Sequence, residues 1–452
     1  MSAQNARAAT AIVLLAAGKG TRMRSTRPKV LHEIAGQPML HFAIRAAITL
    51  APQRIALVVG QDAQAVANSA RSLAPEVEIC LQREQLGTGH AVRMAEGALS
   101  DFDGQLIVLF GDTPFLSAAT MAKLIETPEA ITVLGFQTDS PGRYGRLVMD
   151  GEALLRITEA KDATPDELQI KTCNSGVMAG PAKTIFRLLS QLTSENAQGE
   201  YYLTDLPALA RAEGVLTRAV FCDIAETLGI NDRIDLAAAE AAFQTRARAQ
   251  AMAAGATLIA PETVHFSWDT VLGQDVVIEP NVVFGPGVEI ADDVTIRAFS
   301  HLAETRIAPG VSIGPFARLR GGTEIAEGAY IGNFVEMKKA DFGPGAKASH
   351  LTYVGDAEVG AEANLGAGTI TCNYDGVSKH RTQIGARAFI GTNTALVAPV
   401  KIGEDAYTAT GSVVTKDVPP GDLAIARGRQ ENKPGLARKL RQRLLGLKAA
   451  KE

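Results

Sequence analysis

Residues 272–302 read LGQDVVIEPNVVFGPGVEIADDVTIRAFSHL, and their apolar positions Leu272, Ile278, Phe284, Ile290, Ile296 and Leu302 fall six apart. A step of six matches neither the α-helical period of about 3.6 nor the strand period of about 2. It is the mark of a parallel β-helix, each turn built from three hexads with the apolar residues stacked inside and small residues at the corners. The step resumes at Ile307, Ile313, Leu319, Ile325 and Ile331, and again at Ile384, Ile390, Leu396, Ile402, Thr408 and Val414. A triangular, left-handed prism has a narrow bore, which accounts for an aromatic content of only 5%. Two interruptions stand out. Met337 to Tyr353 keep the step loosely, and Thr371 to Gln383 insert a polar loop, the kind of insertion that solenoids carry on a functional face.

Upstream of the hexads, Asp232 to Ala254 is rich in Ala, Arg, Gln and Glu and free of Pro and Gly, which predicts one continuous helix. Farther upstream, β-branched runs at Ala11–Leu15, Arg54–Val59, Glu78–Leu81, Leu106–Phe110 and Ile131–Phe136 alternate with helical stretches such as Met39–Leu50 and Thr88–Leu99. That alternation predicts a doubly wound α/β domain with a largely parallel sheet. The expected organisation is an α/β domain over 1–231, a linker helix over 232–254, a left-handed β-helix over 255–430 and a basic, solvated tail over 431–452.

A chain of 452 residues, 46% hydrophobic and 21% charged, is expected to form two or three soluble domains. The formal charge of -4, from 45 Lys plus Arg against 49 Asp plus Glu, supplies no global field for nucleic acid or an anionic membrane. No apolar run approaches the ~20 residues of a membrane span. Cys80, Cys173, Cys222 and Cys372 lack CxxC spacing, so neither a zinc site nor a disulfide framework is written in, and a cytoplasmic location is expected.

After the first strand comes Leu14-Leu15-Ala16-Ala17-Gly18-Lys19-Gly20-Thr21-Arg22, followed by Pro28-Lys29. Glycines let the backbone approach phosphate, and Arg22 and Lys29 supply charge for a triphosphate. The loop is neither a Walker A sequence nor a dinucleotide fingerprint. With the Arg and Pro-Lys spacing, the run from Leu14 to Leu40 resembles the sugar-phosphate nucleotidyltransferase family. That resemblance implies uridine nucleotide binding by Leu15, Ala16, Ala17, Gly18, Lys29, Gln82, Gly87 and Thr88, with catalysis resting on Arg22 and Lys29. It further implies Mg²⁺ held by Asp112 and Asn231, suited to a hard cation, and sugar contacts from Gly145, Glu159 and Asn174. Phe110 departs from the Tyr common in the family before Gly-Asp.

In the C-terminal half, the runs Gly332 to Lys339, His350 to Asp356 and Gly366 to Asp375 put polar and basic residues where plain hexads carry small ones. They resemble the bacterial family of bifunctional N-acetylglucosamine-1-phosphate uridyltransferases and glucosamine-1-phosphate acetyltransferases, over essentially the whole chain. The resemblance makes His350 the catalytic base, an imidazole having a reference pKa near 6.5. Glu336 reads either as its orienting partner or as a plain solvated carboxylate. Arg320, Lys338, Tyr353, Asn364 and Lys379 are implied in binding the sugar phosphate, and Ala367, Asn373, Tyr374, Thr392, Thr410 and Arg427 in binding acetyl-CoA. Two departures occur here, Gly321 after the phosphate-binding Arg and Thr392 in place of Ser, whose hydroxyl is read as a possible oxyanion donor.

The expected function is therefore acetyl-CoA-dependent acetylation of glucosamine 1-phosphate, then uridylyl transfer from UTP. The alternative is a monofunctional nucleotidyltransferase whose β-helix only assembles or regulates. Expected partners are these small molecules and further copies of the chain in a homotrimer, with the 371–383 loop reaching a neighbour's His350.

Overall fold

The structure, a computed structural model, describes residues 9–61 and 63–450. Contacts divide the chain into two units, the division falling between Ala247 and Arg248.

In the first unit nine strands form one sheet, in the order Glu78–Leu81, Arg54–Val59, Thr10–Ala16, Gln105–Phe110, Thr172–Pro181, Ile131–Gln137, Thr217–Phe221, Ala153–Thr158 and Arg146–Asp150. All five expected strands form. The first four in that order are mutually parallel, whereas Thr172–Pro181 runs antiparallel to both of its main neighbours. Ile131–Gln137 and Thr217–Phe221 are also parallel to each other, so the expectation of a largely parallel sheet holds, with antiparallel pairing at Thr172–Pro181 and at the edge hairpin of Ala153–Thr158 and Arg146–Asp150. Thr172–Pro181 itself went unread because Asn174, Ser175 and Gly176 interrupt its apolar pattern, which carries a register shift between Asn174 and Met178. Thr10–Ala16 is buried along its whole length at the centre of the parallel half. Its Leu15 pairs in register with Phe110, so both chains leave the sheet at one edge and set the Ala17–Gly20 loop beside Gly111 and Asp112. Ligand sites of open α/β sheets form at this carboxyl edge.

The expected linker helix spans Arg233–Ala253. Asp232 caps it, its carboxylate accepting from the N–H groups of Ile234 and Asp235 at 2.9 and 3.0 Å. Its first part is fastened to the first unit by Phe243 edge-on to Phe42 and by the Arg246 guanidinium 4.1 Å over the Phe115 ring.

The second unit is a parallel β-helix with three stacks of short strands. One inner column runs Ile278, Ile296, Ile313, Ile331, Ala348, Leu365, Ile390 and Thr408. A second includes Leu272, Ile290, Ile307, Ile325, Phe342, Val359, Ile384 and Ile402. The third begins Phe284, Leu302, Leu319, Met337 and Val354. Each buried aliphatic contributes roughly 1.5–3 kcal/mol, and no turn of the helix can bury its own without the next. The loosened step after Met337 now has a cause: Met337 to Phe342 and Val354 to Val359 turn their corners with one residue fewer, through Lys339 and Asp356 at positive φ. Thr371 belongs to the strand Ile370–Cys372 and Gln383 to Thr382–Ile384, so the projecting insertion is shorter than expected.

Near the C-terminus Leu436–Ala449 forms an α-helix with no buried residue, built mainly from the helix formers Leu, Ala, Arg, Lys and Gln. Among the described residues no helix is long and apolar enough to cross a membrane.

Candidate active sites

At the carboxyl edge of the first sheet, a cavity of about 250 Å³ is lined by Leu15, Ala16, Ala17, Gly18, Lys29, Gln82, Gly87, Thr88, Phe110 and Asp112, together with Gln85 and Glu200. The residues expected to bind nucleotide therefore converge, although they come from segments scattered over a hundred positions. Gln82 is buried and donates to the Gly87 carbonyl at 3.2 Å, while Gln85 donates to the Ala17 carbonyl and so ties the segment 82–88 to the Gly-rich loop. Glu200 was not nominated from the sequence.

Gly20 has φ +60, and a Cβ there would stand 2.6 Å from Lys29 Cβ. Glycine is required at this point because the loop must turn left-handed while Lys29 packs against it. Lys29 Nζ forms an ion pair with Asp112 Oδ2, and Arg22 donates to Asn231 Oδ1 at 2.9 Å. Asn231 is placed by what surrounds it: its N–H donates to Asp235 Oδ2 at 2.9 Å, and the next residue caps the helix. The neighbouring Ile230 N–H donates to the Asp112 carbonyl at 3.0 Å, drawing the two expected cation ligands to one place. A carboxylate and an amide oxygen form a hard donor set that fits Mg²⁺, an ion that keeps several waters and takes further ligands from substrate phosphates.

The residues expected to contact the sugar also assemble. A Cβ on Gly145 would lie 3.5 Å from Glu159 Oε1 and 3.6 Å from Asn174 Cβ, and the Asn174 N–H donates to the Gly145 carbonyl at 2.8 Å. Burial pushes the Glu159 carboxyl above its usual range, with Asp162 and Asp205 adding to the rise and a Thr204 hydroxyl opposing it. Phe110 packs its ring edge against Gly176, whose Cβ would come within 2.8 Å of Phe110 Cε2.

On the β-helix the expected residues divide into groups. His350 is exposed at a corner, where its Nδ1 lies 2.6 Å from Asn333 Oδ1, and the Thr352 hydroxyl fixes the same corner by donating to the His350 carbonyl at 2.8 Å. Successive coils stack on this corner: Gly368 N–H donates to Leu351, Asn393 N–H to Ala367 and Gly411 N–H to Thr392. His350, Ala367, Thr392 and Thr410 consequently form one column, and the Arg427 side chain reaches to 4.0 Å from where a Gly411 Cβ would stand.

At the other end of the adjoining face, Arg320 and Lys338 are register partners. The Lys379 ammonium, then burial and Arg320, push Lys338 below the usual lysine range, while Asp356 opposes them. Three cations are gathered in this way, a local concentration of positive charge. Glu336 belongs to this group: its Oε1 accepts from Arg320 Nε and Nη2 at 2.9 and 2.7 Å. The reading of Glu336 as the partner of His350 is corrected accordingly, since Asn333 holds the ring. The seventeen-residue interval between Asn333 and His350 equals one coil and was the signal that could have found it. Tyr353 pairs with Glu336 on the same face, whereas Asn364 lies on the neighbouring face between Lys347 and Phe389.

The inserted loop is a hairpin, with Tyr374 bridging Lys379 and the Asp375 carboxylate accepting from the Val377 and Ser378 N–H groups and meeting His380 Nε2 at 2.6 Å. Asn373 donates to Asp356 on the preceding coil, while Tyr374, whose hydroxyl donates to the Gly376 carbonyl at 2.5 Å, is 60% exposed. Thr392 stands two coils from His350, about 10 Å at strand spacing, which is too far to share a reacting carbonyl; the oxyanion role is withdrawn from it. A larger groove of about 750 Å³ on the second unit contains none of the expected residues, and its Arg306 is paired with Glu289 and Glu324.

Residues 12–197 match the family model of the MobA-like NTP transferase domain, and residues 269–304 match that of the bacterial transferase hexapeptide, six repeats. The chain is 58% identical to the bifunctional protein GlmU of Ruegeria sp. (strain TM1040), covering 98% of this chain and 99% of that one. It is 52% identical to the protein of the same name from Jannaschia sp. (strain CCS1) and 54% identical to that of Sphingopyxis alaskensis, each over 98% of both chains.

Proposed function

Because the chain belongs to the family of bifunctional GlmU proteins, we infer that it makes UDP-N-acetylglucosamine in two transfers, acetylating glucosamine 1-phosphate on the β-helix and uridylylating the product on the α/β unit. The observation that carries the reading is the convergence, in one chain, of a Gly-rich loop with Lys29 and Asp112 and of a corner His350 held by an amide.

In uridylyl transfer a phosphate oxygen of N-acetylglucosamine 1-phosphate forms a bond to the α-phosphorus of UTP as the bond to pyrophosphate breaks. No protein nucleophile is required, so the work of the residues is to position the reactants and neutralise charge. Arg22 and Lys29 face the triphosphate, Gln82 and Gln85 address the base, and Glu159 and Asn174 address the sugar. Asp112 and Asn231 would hold one Mg²⁺, which when bound supplies charge neutralisation at the phosphates.

In acetyl transfer the amine attacks the thioester carbonyl, a C–N bond forms and the C–S bond breaks. Asn333 Oδ1 can only accept, so His350 Nδ1 carries the proton and Nε2 presents a lone pair to take one from the amine. Ala367, one coil away, offers the nearer backbone donor for the developing oxyanion. The column continuing through Thr392 and Thr410 to Arg427 suits an extended carrier such as coenzyme A, and Arg320, Lys338 and Lys379 suit the sugar phosphate. The two groups flank opposite ends of a face, and Tyr374 projects outward; both features support a homotrimer in which neighbours complete each other's acetyltransferase site. A cytoplasmic location is part of the same reading, in keeping with four cysteines that are all free thiols.

The test is to incubate the protein with glucosamine 1-phosphate, acetyl-CoA, UTP and Mg²⁺ and omit each in turn. Free thiol must appear without UTP, and pyrophosphate without acetyl-CoA when the N-acetylated sugar is supplied. Absence of thiol release with intact pyrophosphate release would leave a monofunctional nucleotidyltransferase.

A further inference from the structure

The first unit carries its own counter-ions. Lys29 pairs with Asp112, and Arg22 donates to Asn231. Each oxygen donor assigned to the cation is thus held by a side chain assigned to the triphosphate. The Lys29–Asp112 pair is not a loose surface contact, because its side chains are only 11% and 21% exposed. Gly20 backs Lys29 at close range, so the ammonium is directed by the loop itself.

We propose that Lys29 and Arg22 occupy Asp112 and Asn231 until nucleotide arrives, so that the divalent cation enters with the triphosphate and not ahead of it. The proposal rests on the uridylyl-transfer reading. A lone divalent cation approaching Asp112 must displace an ammonium and approach a guanidinium of like charge. A triphosphate reverses both effects: its oxygens draw Lys29 and Arg22 away and add ligands for the cation. The exchange leaves no charge unpaired, since the two protein cations move to phosphate as the two protein oxygens are released. Arg22 and Lys29 therefore have two partners in sequence, and the site disfavours a cation bound alone, where it would serve no transfer.

Mn²⁺ uptake by the purified full chain, followed by electron paramagnetic resonance without nucleotide, tests this directly. Lys29→Met should bind Mn²⁺ about tenfold or more tightly than wild type, the scale of one charged hydrogen bond removed. The gain should vanish when Asp112→Asn is added. Arg22→Gln, at an exposed residue, should shift uptake in the same direction and serves if Lys29→Met fails to fold. In wild type, UTP should strengthen Mn²⁺ uptake beyond what UTP binds without protein. Equal Mn²⁺ affinity in wild type and both single variants overturns the proposal. Tightened affinity in the variants without any UTP effect in wild type upholds the pairing and overturns the nucleotide reading instead.

Discussion

His350 Nδ1 lies 2.6 Å from Asn333 Oδ1, across adjacent coils in which the two residues are register partners. The amide fixes the tautomer, and with it the atom that can act as base. His350→Ala should lower acetyl transfer by about 10² to 10⁴, and Asn333→Ala by about 10 to 100, the usual effect of losing an orienting partner. Uridylyl transfer should be unchanged in both. Separate assays for thiol and pyrophosphate release check this, and loss of both activities in a folded variant would contradict two independent sites.

Gly20→Ala should do the reverse. Its Cβ would stand 2.6 Å from Lys29 Cβ, on a backbone at φ +60, so Lys29 must shift or the loop must reform. We expect uridylyl transfer to fall at least about tenfold, with acetyl transfer intact. Lys29→Ala and Asp112→Asn should be more severe in the same assay.

Phe110 tests the one departure in the nucleotide site. Phe110→Tyr should fold normally and change uridylyl-transfer kinetics within about tenfold, since one hydrogen bond is worth about 0.5–1.5 kcal/mol. Gly176→Ala should cost more, because its Cβ would come 2.8 Å from the Phe110 ring and drive it toward the cavity that Phe110 lines. Steady-state kinetics with varied UTP and sugar phosphate distinguish the two variants.

Glu159 gives a pH dependence of defined sign. Burial raises its folded-state pKa, so between the unfolded and folded values the native protein binds the extra proton and stability falls as pH rises through that window. Glu159→Gln should therefore raise the melting temperature at pH 7.5, with the difference narrowing toward pH 4 as the carboxyl takes up its proton in both states. The same variant should raise the KM for the sugar phosphate about ten- to a hundredfold through the lost charged hydrogen bond. Thermal melts at both pH values and initial rates decide it.

The hairpin bearing Tyr374 is tied at its base by Asn373 to Asp356 and exposed at its tip. If neighbours share the acetyltransferase site, mixing His350→Ala with Tyr374→Ala chains should restore acetyl transfer above either variant alone. In random trimers a minority of sites would pair two wild-type contributions, so recovery should reach about a quarter of wild-type activity when two chains build each site. No recovery after subunit exchange verified by mass, or full activity in a sedimenting monomer, would exclude a shared site.

Hexad spacing determined the β-helix by itself, because one residue that must point inward on each six-residue face leaves a period that neither a helix nor an ordinary strand requires. The parallel strands of the first unit were legible for a similar reason, as continuous apolar runs. The Gly-rich loop, Asp112 and His350 could be nominated from residue type and order. Tertiary structure alone decided which side chains meet. The hairpin strands Arg146–Asp150 and Ala153–Thr158 and the antiparallel Thr172–Pro181 bring Gly145, Glu159 and Asn174 together. Glu336 turned to Arg320, and Asn333 to His350, because the coil length sets which residue lies beneath another. Linear order carries residue chemistry and period; the partner of a polar group depends on stacking between segments far apart in the chain, which only the folded backbone fixes.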